Sequence, residues 1–196
     1  MPPTIPFKIT VCGIDELPEH SAVGITHVLS ILDPDYPVPE AFAGFAAHEK
    51  LELRFNDVIE PSPTTLPPNE SHIRQLLDFG RAIGPGDNLL VHCHAGVSRS
   101  TASMALILAQ AMPQHSAAEV LAEVLRIRGR AWPNLRMVEM GDPMLDRGGA
   151  LVAALHGVYR SQIVERPWLA AEMERLGRSR ELAAAGVAGG SVSSSP

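Results

Sequence analysis

The sequence predicts an α/β fold: a central, mostly parallel sheet of four to five strands, flanked by helices. Three observations predict it. Short β-rich runs alternate with stretches of helical periodicity through the first two-thirds of the chain. One run, Asn88-Leu89-Leu90-Val91-His92, has the continuous apolar centre of a strand buried on both faces. The chain has 196 residues, 45% of them hydrophobic and 19% charged, enough for one well-buried domain and too few for two of ordinary size.

Taken in order, Phe7 to Cys12 reads as a first strand, ended by Gly13. Ile25 to Leu32 reads as a second, stopped by the turn-forming Asp33-Pro34-Asp35. Lys50 to Phe55 sets Leu51, Leu53 and Phe55 against Glu52 and Arg54, the alternation of a half-buried third strand. A proline-rich loop runs to Pro68. Asn69 or Ser71 then caps a helix whose apolar positions Ile73, Leu76, Leu77, Gly80 and Ile83 share one face, and Gly84-Pro85-Gly86-Asp87 breaks it. After the Asn88–His92 strand, Thr101 to Met112 is a buried helix, and Ser116-Ala117-Ala118-Glu119 is a capping box opening a helix to about Arg128. Asn134 to Leu145 and Gly149 to Val164 are further helices. The resulting division is a domain at 1–148, a helical extension packed on it at 149–177, and a disordered tail at 178–196, small and polar from Gly186 onward.

Composition narrows the function. A net charge of -6 leaves no excess of Lys and Arg to neutralise a nucleic acid or an anionic membrane, so neither is an expected partner. The longest nearly apolar run, Ala102 to Met112, falls short of the ~20 residues needed to span a bilayer, and MPPTIPFKIT is not a secretory signal. Two cysteines, Cys12 and Cys93, are no disulfide framework, and a reduced, cytoplasmic protein is expected.

The chemistry gathers in His92-Cys93-His94-Ala95-Gly96-Val97-Ser98-Arg99-Ser100-Thr101. A buried strand, a loop and a helix start follow one another here, and ligand sites in open α/β sheets lie at the carboxyl ends of strands. Backbone N–H groups of His94, Ala95, Gly96, Val97 and Ser98, joined by those of the helix's first turn, can converge on one anion. Gly96 lets the backbone turn, and Arg99 offers a planar fork of donors matching two phosphate oxygens. In that field Cys93 acts as a thiolate and attacks phosphorus, giving a phosphocysteine. Ser100 can donate to the sulfur as it leaves, while His92 orients the loop. No cofactor is required, and His20, His27, His48, His72, His115 and His156 lack paired metal-ligand spacing.

These residues resemble the signature of the protein tyrosine phosphatase superfamily: His-Cys, five residues, Arg, then Ser or Thr. Gly24-Ile25-Thr26-His27-Val28-Leu29 and Arg130-Ala131-Trp132-Pro133-Asn134 are similar to stretches of its dual-specificity branch, and no Trp-Pro-Asp motif is present. The resemblance covers about residues 7–145. It implies a general-acid loop, in which Asp57 after the third strand is the candidate, with Asp33 and Asp35 as runners-up. It also implies a phosphorylated protein or peptide as substrate, carrying phosphotyrosine and possibly phosphoserine or phosphothreonine. The alternatives are a phosphoinositide, an RNA 5′ phosphate or a non-catalytic phospho-binding module. A phosphoprotein is favoured because His94, Ala95 and Val97 put no fixed charge in the loop, and Cys, Arg and Asp are all present. Rhodanese-type enzymes, low-molecular-weight phosphatases and arsenate reductases match the spacing or placement of the loop less well. Cys12 is expected to be a buried strand residue, or less readily a disulfide partner for oxidised Cys93; Trp132 and Trp168 are expected to be packing residues.

Overall fold

The computed structural model describes residues 5–187. Four strands, β1 (Lys8–Cys12), β2 (His27–Leu32), β3 (Glu49–Arg54) and β4 (Asn88–His92), form one sheet in the order β1-β4-β2-β3. Every pairing is parallel, so all four carboxyl ends reach the same edge. The helices are α1 (Glu70–Ala82), α2 (Arg99–Ala111), α3 (Ala117–Ile127), α4 (Leu135–Met144), α5 (Ala150–Glu165), α6 (Leu169–Arg175) and α7 (Ser179–Ala184). Among them none is long and apolar enough to cross a membrane.

The sheet's two faces are covered unequally. Alternation in β2 and β4 sends Leu29, Ile31, Leu89 and Val91 into the large core beneath the helices, where Ile73, Leu76 and Leu77 of α1 meet the buried side chains of α2. Val28 and Leu90 face the other way, into a small cluster closed by two 3-10 segments, Ile14–His20 and Glu40–Gly44, through Leu17 and Phe42. The central helix α2 is buried from Arg99 to Ala109, which explains why its sequence is apolar nearly all round. Its approach to α4 is close: a Cβ on Gly141 would lie 2.3 Å from a Leu106 methyl.

Local chemistry accounts for the helix starts. The Asn69 side chain accepts from the His72 amide at 3.1 Å, and Ser116 and Glu119 cap α3 reciprocally. Beyond α4, α5 packs against α3 and α4, and α7 against α5 and α6. Residues 178–187, which composition puts in the tail, are instead part of the fold, with Arg178 and Glu181 buried. A buried ion pair between the N-cap residue and a six-residue helix has no periodicity by which to read it. Residues 188–196 of the expected tail lie outside the described residues.

Candidate active site

Because the strands run parallel, the turns after β1, β2, β3 and β4 share one rim, which collects Gly13, Asp33, Asp57 and Cys93. Cys93 continues the inward face of Leu89 and Val91 and is buried. Its Sγ lies 3.2 Å from Ser100 Oγ in the first turn of α2.

The 94–98 loop is turned inside out relative to an ordinary turn. Its carbonyls are all hydrogen-bonded to groups outside the loop. His94 O accepts from the Ile14 amide, Val97 O from Trp132 and Ser98 O from Asn134. Arg128 braces the other two, donating from Nε to Gly96 O at 2.9 Å and from Nη2 to Ala95 O at 3.2 Å, and is itself held by Glu16. The amides of His94 through Ser98 donate to no described residue, the arrangement of an anion nest. Gly96 makes this possible: its φ is +65°, and a Cβ there would come within 2.5 Å of the Cys12 carbonyl carbon.

Arg99 is 2% exposed. Nη1 donates to Asp33 Oδ1 and to Phe55 O, both at 2.6 Å. Nε is buried without a partner, and Nη2 donates to no described residue. Those two nitrogens share one edge of the guanidinium, which is therefore left open for two oxygens of a ligand. Asp33 thus anchors the clamp. The Asp33 amide also donates to His94 Nε2 at 3.3 Å, and the Tyr36 ring packs on His94 with centroids 4.4 Å apart.

Asp57 lines the same cavity as Cys93. Its Oδ1 accepts from Ser98 Oγ at 2.8 Å, from Asn134 Nδ2 at 2.9 Å and from Arg178 Nη2. Burial pushes its carboxyl up, but Arg178 and Arg99 together with these donors outweigh that and hold it below the usual range. The Trp132-Pro133-Asn134 element braces the 94–98 loop and the Asp57 loop at once. Its Asn134 was legible as an element behind the loop; Arg178, Glu181, Arg128 and Glu16 carried no local signal.

His92 is fully buried, with Nε2 2.8 Å from Ser30 Oγ on the neighbouring strand, and burial lowers its pKa to about 4. It is a neutral strut. Cys12 faces the small cluster, on the side of the sheet opposite Cys93, and burial raises its thiol to about 12. Neither property suits a disulfide partner. Asp35 has no bond to the loop or to Arg99 among the described residues. The described residues hold no group of three or more His, Cys, Asp or Glu placed to bind a metal.

The cavity over Cys93 measures about 340 Å³. Polar and reactive groups of Cys93, Ser98, Arg99, Asp57 and Arg178 line it together with the apolar side chains of Trp168, Leu169, Met173 and Leu176 of the α6 region. Trp132 is a packing residue, stacked on Tyr159 with centroids 4.5 Å apart. Trp168 is not: it stays 64% exposed at the mouth.

Comparison with known proteins bears on the fold. No family model matches the chain. It is 42% identical over 94 residues to dual specificity protein phosphatase 12 of Rattus norvegicus, covering 47% of this chain and 24% of that protein. The chain therefore matches about a quarter of that relative's length. Among solved structures, the Cydia pomonella PTP-2 phosphatase aligns with a TM-score of 0.54 and 17% identity, over 71% of this chain and 87% of that one. Tk-PTP in its active form aligns at 0.51 and 24%, over 74% and 95%. PTPMT1 in complex with PI(5)P aligns at 0.51 and 16%, over 71% and 91%. The parallel sheet with its flanking helices is the fold of these enzymes.

Proposed function

We propose that this chain, which has the fold of the protein tyrosine phosphatase superfamily and resembles its dual-specificity-like branch, is a phosphomonoester hydrolase that works through a phosphocysteine on Cys93. One observation carries the reading: a loop whose amides have no partner among the described residues, and Arg99 with its Nε unpaired, line the same cavity as Cys93. A phosphate dianion sits in that cavity with its oxygens on the amides and on Nε and Nη2 of Arg99. The Cys93 thiolate then attacks phosphorus, and the leaving oxygen takes its proton from Asp57. Water then attacks phosphorus and gives its proton to the Asp57 carboxylate left by the first step. The P–S bond breaks, inorganic phosphate leaves, and Ser100 Oγ donates to the departing thiolate. His92 and Asp33 hold the loop and the clamp in place.

The substrate we propose is a phosphoprotein, with phosphotyrosine favoured. The apolar side chains of Trp168, Leu169, Met173 and Leu176 suit an aromatic ring above the phosphate. Glu172 at the same mouth disfavours a headgroup carrying several phosphates, and the chain's two lysines, Lys8 and Lys50, lie away from the cavity. PTPMT1 shares the fold and has been captured with PI(5)P, so a phosphoinositide belongs in the test panel.

Cys93→Ser is expected to abolish hydrolysis of para-nitrophenyl phosphate with an unchanged melting curve. Rapid quench of the parent should trap one phosphoryl group on the peptide holding Cys93. Turnover surviving in Cys93→Ser would refute the mechanism. Faster hydrolysis of a phosphoinositide than of any phosphotyrosine peptide would overturn the substrate assignment alone.

A further inference from the structure

We infer that Arg178, carried by the turn before α7, is a positioning residue for the Asp57 carboxyl, so that the C-terminal helices are part of the catalytic apparatus. The inference rests on Asp57 being the proton donor proposed above. It begins from which oxygen is occupied. Three donors, Ser98 Oγ, Asn134 Nδ2 and Arg178 Nη2, all converge on Oδ1. Oδ2 accepts from no described residue. A carboxyl so held carries its proton on Oδ2, the oxygen left for the cavity that Asp57 shares with Cys93. Arg178 Nη2 also donates to the Asp57 backbone carbonyl at 3.2 Å and to Ser98 Oγ at 3.0 Å. One guanidinium nitrogen therefore ties the acid's backbone, the acid's side chain and the phosphate loop together.

Arg178 is itself fixed. Its Nη1 donates to both oxygens of Glu181 at 3.1 Å. Glu181 is fully buried and accepts from Trp132 Nε1 at 2.5 Å and from the Leu135 amide at 3.0 Å, at the start of α4. A guanidinium clamped at both ends has one orientation. The same contact sets a limit on the chemistry. The charged groups facing Asp57 are Arg178 from the α7 turn and Arg99 from α2, with the His94 ring on the loop and Glu181 behind Arg178. Both cations favour the carboxylate, so the acid form that protonates a leaving group is confined to low pH. Arg178 thereby gives orientation at the cost of proton-donating range.

The test is the pH profile of kcat/KM for Arg178→Met, on para-nitrophenyl phosphate and on acetyl phosphate, whose leaving group needs no proton. Removing the cation is expected to move the alkaline limb for the aryl ester upward by about one to three pH units. At the parent's optimum, kcat should fall at least ~10-fold on the aryl ester and by a much smaller factor on acetyl phosphate. Arg178→Lys should restore much of the limb position. Because Arg178→Met alone strands a buried carboxylate, Arg178→Met/Glu181→Gln is measured beside it and should show the same limb. An unmoved limb in both variants, or equal losses on both substrates, would overturn the role of Arg178 while leaving Cys93 chemistry intact. A parent with no turnover on either substrate would overturn both readings.

Discussion

At the scale of single residues, Gly96 shows how little freedom the 94–98 loop has. Its positive φ and its contact with the Cys12–Gly13 backbone are two independent demands that only glycine meets. Gly96→Ala must either push β1 away or flip the amides out of the nest. We expect a loss of ~1–3 kcal/mol of stability and, because misplacement near 1 Å costs ~10²-fold in rate, a kcat reduced by at least that factor. Steady-state kinetics beside a thermal melt checks it, and full activity would show that the loop can bend elsewhere. That Arg99 and Ser100 lie beside Cys93 was legible, because all three follow one another at fixed spacing across a strand end and a helix start. Their supports were not: Arg128 reaches Gly96 from 32 residues away.

At the scale of elements, agreement followed length and pattern. The continuous apolar run of β4, the alternation around Leu51 and Leu53 and the one-sided helix α1 sit where their periodicities put them, to within a few residues. The two 3-10 segments and the short helices α6 and α7 were illegible, being only five to seven residues long and too brief for a 3.6-residue period to repeat. The α6 region nonetheless shapes the cavity mouth, leaving Trp168 and Leu176 64% and 53% exposed. Large apolar groups exposed at the cavity that holds Cys93 are the surface against which the aromatic ring of the proposed substrate would pack. Trp168→Ala should raise KM for a phosphotyrosine peptide about three- to tenfold and change kcat far less. An unaltered KM would mean that the substrate ring lies elsewhere.

At the scale of the whole molecule, buried titratable groups couple folding to pH. His92 sits neutral against Ser30, its pKa lowered by burial from 6.5 to about 4. Between those values the unfolded chain binds the proton and the folded one does not. Stability is therefore full above pH 6.5 and declines as pH falls to about 4, by up to ~3 kcal/mol. Asp57 and Glu16, held below the usual carboxylate range, add losses only at lower pH, while Glu181, raised by burial, contributes the opposite slope. His92→Gln should flatten urea midpoints across pH 6.5 to 4.5 relative to the parent. Parallel curves would show that the imidazole does not carry the effect.

The pairing of Arg178 with Asp57 spans 121 residues. On a ribosome, thiol, clamp and carboxylate are all translated before the cation that grips the carboxylate. A nascent chain thus holds Cys93 and Asp57 long before the cation that seats the Asp57 carboxyl, and the order of synthesis becomes the order in which the proposed site matures.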